Sequence, residues 1–225
     1  MSSELVKLFF DSFLETLLMV GLSGLIGAAL GIPLGVMLNV TEAHGILPYP
    51  RVNRVVGLLV NAVRSTPFII LMVAVIPFTR LVAGSSIGTG AAIVPLTIAA
   101  APFVARLVET SLREVDAGLI ETAQAMGATN AQIIGKVLLP EAFPGIVAGL
   151  TITLVSLVGY SAMAGAVGGG GLGDLGIRYG YQRFLPEVML AVVLILIAFV
   201  QAVQSLGDRL VLRVSHRGQA AQNTQ

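Results

Sequence analysis

Long apolar runs alternate with short polar segments along this chain. Five of the runs contain at most one charged residue, and each approaches or exceeds the about 20 residues that a helix needs to cross a bilayer core. They are Thr16–Thr41, Val55–Thr79, Leu81–Ala105, Ala142–Gly173 and Val188–Gly207. The pattern predicts an all-α membrane protein with five transmembrane helices, over about residues 12–40, 55–79, 88–112, 142–166 and 186–208, in a single membrane domain of residues 1–225.

The fourth run is longer than one span, and its end is rich in glycine. The segment Gly168–Gly176, with the sequence GGGGLGDLG, is therefore predicted to be an external loop. Its first residues formally match G-x-G-x-x-G, but no strand precedes them and no G-K-S/T occurs anywhere in the chain. We therefore predict no nucleotide site in this chain and no enzymatic activity of its own.

Composition supports the membrane interpretation. The 225 residues are 56% hydrophobic and 11% charged, which is more apolar surface than a soluble domain of this length can bury. The chain has no cysteine, which excludes disulfides and thiolate chemistry, and its net charge of +1 gives no case for nucleic-acid binding. His44 has no second potential ligand at metal-binding spacing, so no metal site is predicted.

Basic residues orient the chain in the membrane. Placing the polar segment around Glu121 in the cytoplasm leaves eight basic residues inside, four outside and Arg64 within a span. The inside set is Arg51, Arg54, Arg106, Arg113, Lys136, Arg209, Arg213 and Arg217, and the outside set is Lys7, Arg80, Arg178 and Arg183. The N-terminus is predicted to lie outside and the C-terminus inside, with a polar tail over residues 214–225.

A polar island, Glu121–Pro140, separates the third and fourth spans. Its apolar residues follow helical spacing on both sides of Gly127, a position where the backbone can turn sharply. We predict a cytoplasmic loop over about residues 116–140, built as two short helices with a bend. Just before it, Glu109 is spaced to pair with Arg106 and Arg113 on what we predict to be a solvated helix face.

Arg64 is the one charge placed deep within a predicted span. It either reaches the cytoplasmic interface or pairs with Glu109, or else it contacts a substrate carboxylate or gates the inner mouth of a transport path. In the fourth span, Tyr160, Ser161 and Met163 lie in a stretch of small residues. Met163 either fills a packing gap or forms a gate, and all three residues are candidates for a translocation path.

The polar island resembles the coupling loop of binding-protein-dependent ABC importer permeases. The resemblance rests on E-x-A, a glycine six residues after the glutamate, and the ending LLP; Thr122 departs from the usual second alanine. In that family this loop docks into a cleft of a cytoplasmic ATPase. The resemblance implies a coupling role for Glu121, Ala123, Ala125, Met126, Gly127, Ala128 and Pro140.

Further stretches, among them RSTPFIILMVAVIPFTR and ITLVSLVGYSAMAGAVGGGGLG, are similar to the permease family of bacterial methionine ABC importers. That resemblance implies the type I importer fold, a homodimer in the inner membrane, and alternating access that moves D- or L-methionine. It also implies a separate ATPase dimer that binds ATP and Mg²⁺, and a periplasmic or lipid-anchored substrate-binding protein.

Two other functions fit the residues. The first is a permease of the same superfamily for another amino acid or a small osmolyte. The second is a secondary transporter that needs no ATPase. The helix centres contain no Asp or Glu, which argues against proton-coupled transport.

Overall fold

The computed structural model describes residues 3–222, with side chains for residues 4–215, and confirms the all-α prediction. Ten α-helices occur in this part of the chain. They are α1 Ser3–Val40, α2 Pro50–Ser65, α3 Phe68–Ala74, α4 Ile76–Ala83, α5 Thr89–Arg113, α6 Ala117–Ala125, α7 Asn130–Ile133, α8 Leu139–Ala164, α9 Gly171–Leu175 and α10 Pro186–Gln222. Three π-helical segments, Ile134–Leu138, Gly165–Gly169 and Gly176–Gln182, adjoin α8 and α9.

The centre of the bundle is formed by α1, α5 and α8, and α10 packs against α8. Small residues bring α1 and α5 into backbone contact, as is common between membrane helices. A Cβ atom added at Gly31 would lie 2.6 Å from the carbonyl oxygen of Ala101, and one added at Gly35 would lie 2.5 Å from that of Ala105. Neither position can accept a larger residue unless the two helices separate.

Within residues 3–222, four helical stretches are long and apolar enough to span a membrane, and a fifth results if α2 and α3 count as one broken span. Our predicted second span, residues 55–79, is not one helix, because α2 and α3 meet at 109°. Pro67 causes the break: proline lacks an N–H, and it disfavours the helical conformation of the residue before it. Thr66 is accordingly extended, with φ −83° and ψ 125°.

The glycine-rich segment after α8 is only in part the loop that we predicted. The chain turns at Val167 and Gly168, whose backbone angles are not helical, but residues 171–182 form α9 and a π-helical segment, and Gly169, Leu172 and Leu175 are buried. Glu15 Oε2 accepts a 2.6 Å hydrogen bond from the N–H of Gly171, and Thr16 Oγ1 accepts a 2.9 Å bond from the N–H of Leu172. The glycines let the backbone of this segment approach α1 closely. Its N–H groups then donate to side chains of α1, where those of an exposed loop would donate to water.

The final helix is also longer than the sequence predicts. Instead of ending near residue 208, α10 continues from Pro186 to Gln222, so most of the predicted polar tail is helical. The last part of that tail, residues 223–225, lies outside the described residues. Charged and polar residues do not end a helix by themselves, and this stretch contains no proline and only Gly218 as a potential breaker.

Candidate functional site

The polar island folds as a helical hairpin whose bend lies at Gly127, as predicted. Asp116 caps the N-terminus of α6, and its side chain accepts a 2.7 Å hydrogen bond from the N–H of Gly118. It ends in a Schellman motif: the N–H of Ala128 bonds to Ala123 O at 3.0 Å, and that of Gly127 to Gln124 O at 2.9 Å. This motif requires the left-handed conformation that Gly127 adopts, with φ +78°.

The second half of the hairpin differs from the prediction of a separate short helix. A capping box starts α7, in which Thr129 Oγ1 accepts from the N–H of Gln132 and Gln132 Oε1 accepts from the N–H of Thr129. Helix α7 then continues through the π-helical segment Ile134–Leu138 into α8 without a loop. One helical stretch, Asn130–Gly169, therefore joins the hairpin to the candidate path residues.

We use the name coupling hairpin for residues 116–133, and its two faces have different environments. Ile120, Ala123 and Ala128 pack against a core cluster that includes the buried Ile133 and Leu138. The opposite face exposes Glu121, Ala125, Met126 and Gly127, and the side chain of Met126 is 80% exposed. Pro140 is exposed in the first turn of α8, beyond the hairpin.

The structure thus brings six of the seven proposed coupling residues into one small element. Two of them, Ala123 and Ala128, are half-buried and hold the hairpin against the body of the protein. The remaining four form a surface on which a large apolar side chain projects into solvent. An exposed apolar patch of this kind is typical of a protein-binding site.

Charged residues beside the hairpin form a network around Glu109. Its two carboxylate oxygens each accept a 2.7 Å bond, one from Arg106 and one from Arg113, which confirms the predicted pairs. Arg106 also donates to Asn61 Oδ1 at 2.7 Å, and Arg113 to Glu42 Oε1 at 2.6 Å. The predicted solvated face is wrong for Glu109 itself, which is 2% exposed.

The network joins α2, α5 and the connection after α1 at one end of the bundle. The predicted pairing of Arg64 with Glu109 is not formed, since the ion pairs of Glu109 are with Arg106 and Arg113. Beside the network, a cavity of about 380 Å³ lies between the hairpin and the end of α1, and Glu121 and Arg113 line it.

Arg64 lies instead in an aromatic pocket at the bend between α2 and α3. Its guanidinium carbon is 6.0 Å from the ring centroid of Phe103. In the same pocket, Phe68 and Tyr160 stack with their centroids 4.7 Å apart and their planes 7° from parallel. The pocket has a volume of about 100 Å³.

The structure therefore places Arg64, the predicted inner-mouth charge, beside one of the three predicted path residues, Tyr160, but not beside the other two. Ser161 is buried and donates a 2.8 Å hydrogen bond to Val158 O, and Met163 lies on an exposed face of α8. The sequence analysis missed Phe68 and Phe103. Phe68 follows the helix-breaking Pro67 directly, and that position at a bend was the available signal.

Comparison with known proteins shows which family this chain resembles. Residues 31–216 match the family described as the binding-protein-dependent transport system inner membrane component. A probable D-methionine transport system permease protein MetI of Vibrio cholerae is 60% identical over 203 residues, which are 90% of each chain. The D-methionine transport system permease protein MetI of Escherichia coli K12 is 54% identical over 165 residues, which are 73% of this chain and 76% of that one.

Solved structures give the same assignment. A structure of the MetNI methionine ABC transporter in inward-facing conformations matches with a TM-score of 0.93 and 52% identity, over 95% of this chain and 99% of that one. An amino acid ABC transporter with histidines matches with a TM-score of 0.78 at 19% identity, over 93% and 95% of the chains, which shows a common fold alone. The fold is that of a type I ABC importer permease. The chain belongs to the family of inner membrane components of binding-protein-dependent transport systems.

Proposed function

We propose that this chain is the permease subunit of an ATP-driven methionine importer in the bacterial inner membrane. The observation that carries the proposal is the exposed coupling hairpin, in a chain whose Vibrio cholerae relative at 60% identity is named a probable D-methionine permease. The chain moves methionine, as the D or the L isomer, and a separate cytoplasmic ATPase binds ATP and Mg²⁺.

The hairpin is the docking element for that ATPase. Met126 inserts into the partner, while Glu121, Ala125 and Gly127 surround it. Pro140 lies in the first turn of α8, the helix that transmits the movement. Support comes from the exposure of Met126, since an apolar side chain that projects from a polar cytoplasmic segment gains free energy when a partner covers it. No residue of α6 is buried within the chain, so its outer face is free to bind.

Movement of the hairpin reaches the transport path through α8. The helical stretch Asn130–Gly169 includes both the start of the hairpin's second arm and the candidate path residues Tyr160, Ser161 and Met163. A helix transmits displacement along its axis because each turn is hydrogen-bonded to the next. ATP binding draws the hairpins together, and α8 then changes the access to the path from one side of the membrane to the other.

Two copies of the chain form the working unit. One coupling hairpin per chain matches one docking cleft per ATPase subunit, so a symmetric ATPase dimer calls for a permease homodimer with its path on the two-fold axis. The N-terminus lies outside and the C-terminus inside. A periplasmic or lipid-anchored methionine-binding protein delivers substrate at the outer face, and membrane lipid covers the remaining apolar surface.

The test is methionine uptake into proteoliposomes that contain this chain, its ATPase and its binding protein. We expect uptake that requires ATP and the ATPase. Met126→Glu should abolish uptake and prevent the ATPase from co-purifying, because a carboxylate cannot be buried unpaired in the docking cleft.

Tyr181→Glu is the matched control, since Tyr181 is also exposed, at 69%, but lies in the segment after α9. That variant should still co-purify with the ATPase. Uptake that continues without ATP would overturn the proposal in favour of a secondary transporter. Uptake of another amino acid in preference to methionine would show that methionine is not the main substrate.

A further inference from the structure

Arg64 is a charged side chain without an anionic partner in the part of the chain that the structure describes. It makes no ion pair there, and the carboxylate that the sequence offered, Glu109, is occupied by Arg106 and Arg113. Arg106 also donates a hydrogen bond to Asn61, which lies one turn before Arg64 on α2. Arg64 is also exposed in the described chain, so its guanidinium is accessible to an arriving anion.

The surroundings of Arg64 are aromatic on more than one side. Phe103 of α5 lies under the guanidinium at cation–π distance, and the stacked pair of Phe68 and Tyr160 lines the same pocket. These rings leave the N–H groups at the edge of the guanidinium free, because a ring contacts its face. The free edge is the part that binds a carboxylate with two parallel hydrogen bonds.

The pocket also adjoins the transport path that we propose along α8. It sits at the 109° bend between α2 and α3, and Tyr160 connects it to α8, the helix that continues from the coupling hairpin. Its volume of about 100 Å³ admits a charged head group, since a single water needs roughly 10–15 Å³ by the same measure. The apolar part of a substrate would extend out of the pocket along the apolar face of α8.

We infer that Arg64, with Phe68, Phe103 and Tyr160, forms a binding site for the carboxylate of the amino-acid substrate on its way through the permease. The inference rests on the proposed function. It adds a site within the membrane that acts after the binding protein has released its ligand.

The experiment compares L-methionine with methionine amide, in which a neutral amide replaces the carboxylate. Both are tested for equilibrium binding to the purified permease–ATPase complex without the binding protein. We expect the wild-type complex to prefer methionine by about ten-fold, the ratio that corresponds to 1.4 kcal/mol. Arg64→Gln should remove this preference, so that both compounds bind equally weakly, while Arg64→Lys should retain part of it.

Arg80→Gln is the control, because Arg80 is an exposed arginine outside the pocket that hydrogen-bonds Ser86. It should keep the full preference for methionine. A preference that persists in Arg64→Gln, or a wild-type complex that binds no methionine at millimolar concentration, overturns the site. Neither result affects the proposed function, which fails only if the wild-type proteoliposomes lack ATP-dependent methionine uptake.

Discussion

At the scale of single residues, burial decides what a charge does in this protein. Glu109 lies in the last turns of α5 and Glu114 caps the end of that helix, yet Glu109 is buried between two arginines and Glu114 is exposed. The ion pair of Arg113 with Glu42 is exposed on both sides and contributes little. The bonds to Glu109 contribute more, because water cannot replace them.

We predict that Glu109→Gln lowers the free energy of unfolding by about 1–3 kcal/mol, the range for losing hydrogen bonds to a buried charged group. The amide has one accepting oxygen in place of two, so one of the two arginines loses its hydrogen bond to residue 109. Thermal unfolding of the purified complex measures the loss. Glu114→Gln is the control and should change stability by less than about 0.5 kcal/mol; equal effects of the two substitutions would show that the network does not stabilise the bundle.

At the scale of elements, close packing and backbone conformation set the limits. The glycines of α1 that face α5 allow backbone contact, whereas Gly21 on the same helix has no atom within 4 Å of where its Cβ would be. The coupling hairpin depends on a different property of glycine. At Gly127 there is also open space for a Cβ, so only its φ of +78° restricts the residue.

We predict that Gly31→Ala destabilises the protein by about 1–3 kcal/mol, because the added methyl group would overlap the backbone of α5 at Ala101. Gly21→Ala adds the same group to the same helix in open space and should leave stability unchanged or slightly higher. Thermal unfolding in detergent distinguishes them. If both variants unfold at the wild-type temperature, the contact between α1 and α5 is looser than described.

For the coupling hairpin we predict that Gly127→Val weakens ATPase binding, whereas Gly127→Asn largely retains it. Valine is strained at positive φ, while asparagine is one of the few residues that adopt this conformation readily. The measurement is the amount of ATPase that co-purifies with each variant. Equal loss in both variants would indicate that the side chain at this position blocks the cleft, and that the backbone conformation is not the cause.

At the scale of the whole molecule, we propose that the exposed face of α8 is the surface that meets a second copy. Met163 projects from it at 43% exposure, next to the small residues Gly159 and Ala166. An outward face of α1 is exposed as well, with Leu25 at 69%. The proposed two-fold path requires the first of these surfaces to face the partner copy and leaves the second for lipid.

We predict that Met163→Cys forms cross-links between two copies in the assembled complex, and that Leu25→Cys does not. The chain contains no cysteine, so each variant has a single reactive thiol. A short thiol-specific cross-linker and gel electrophoresis provide the measurement, and adding ATP should change the yield if α8 moves. Cross-linking through Leu25 alone would place the dimer interface on α1 and exclude the proposed path.

The sequence by itself determined the features that depend on neighbours a few residues away. Long apolar runs predicted the spanning helices, and Gly127 predicted the bend of the hairpin; the capping groups Asp116 and Thr129 act within three residues of their own positions. The proline that breaks the second span is just as local, although we read that stretch as one helix. Caps, bends and breaks of this kind depend on backbone hydrogen bonds between near neighbours, so the residues that cause them stand close together in the sequence.

Only the tertiary structure decided the contacts between distant positions. Glu15 meets Gly171 across 156 residues, and Arg113 meets Glu42 across 71, and no spacing rule connects such pairs. The same holds for the burial of Glu109 and for the aromatic surroundings of Arg64. Each of these depends on how separate helices pack against one another, and a one-dimensional pattern shows which face of a helix is apolar but not which helix will cover it.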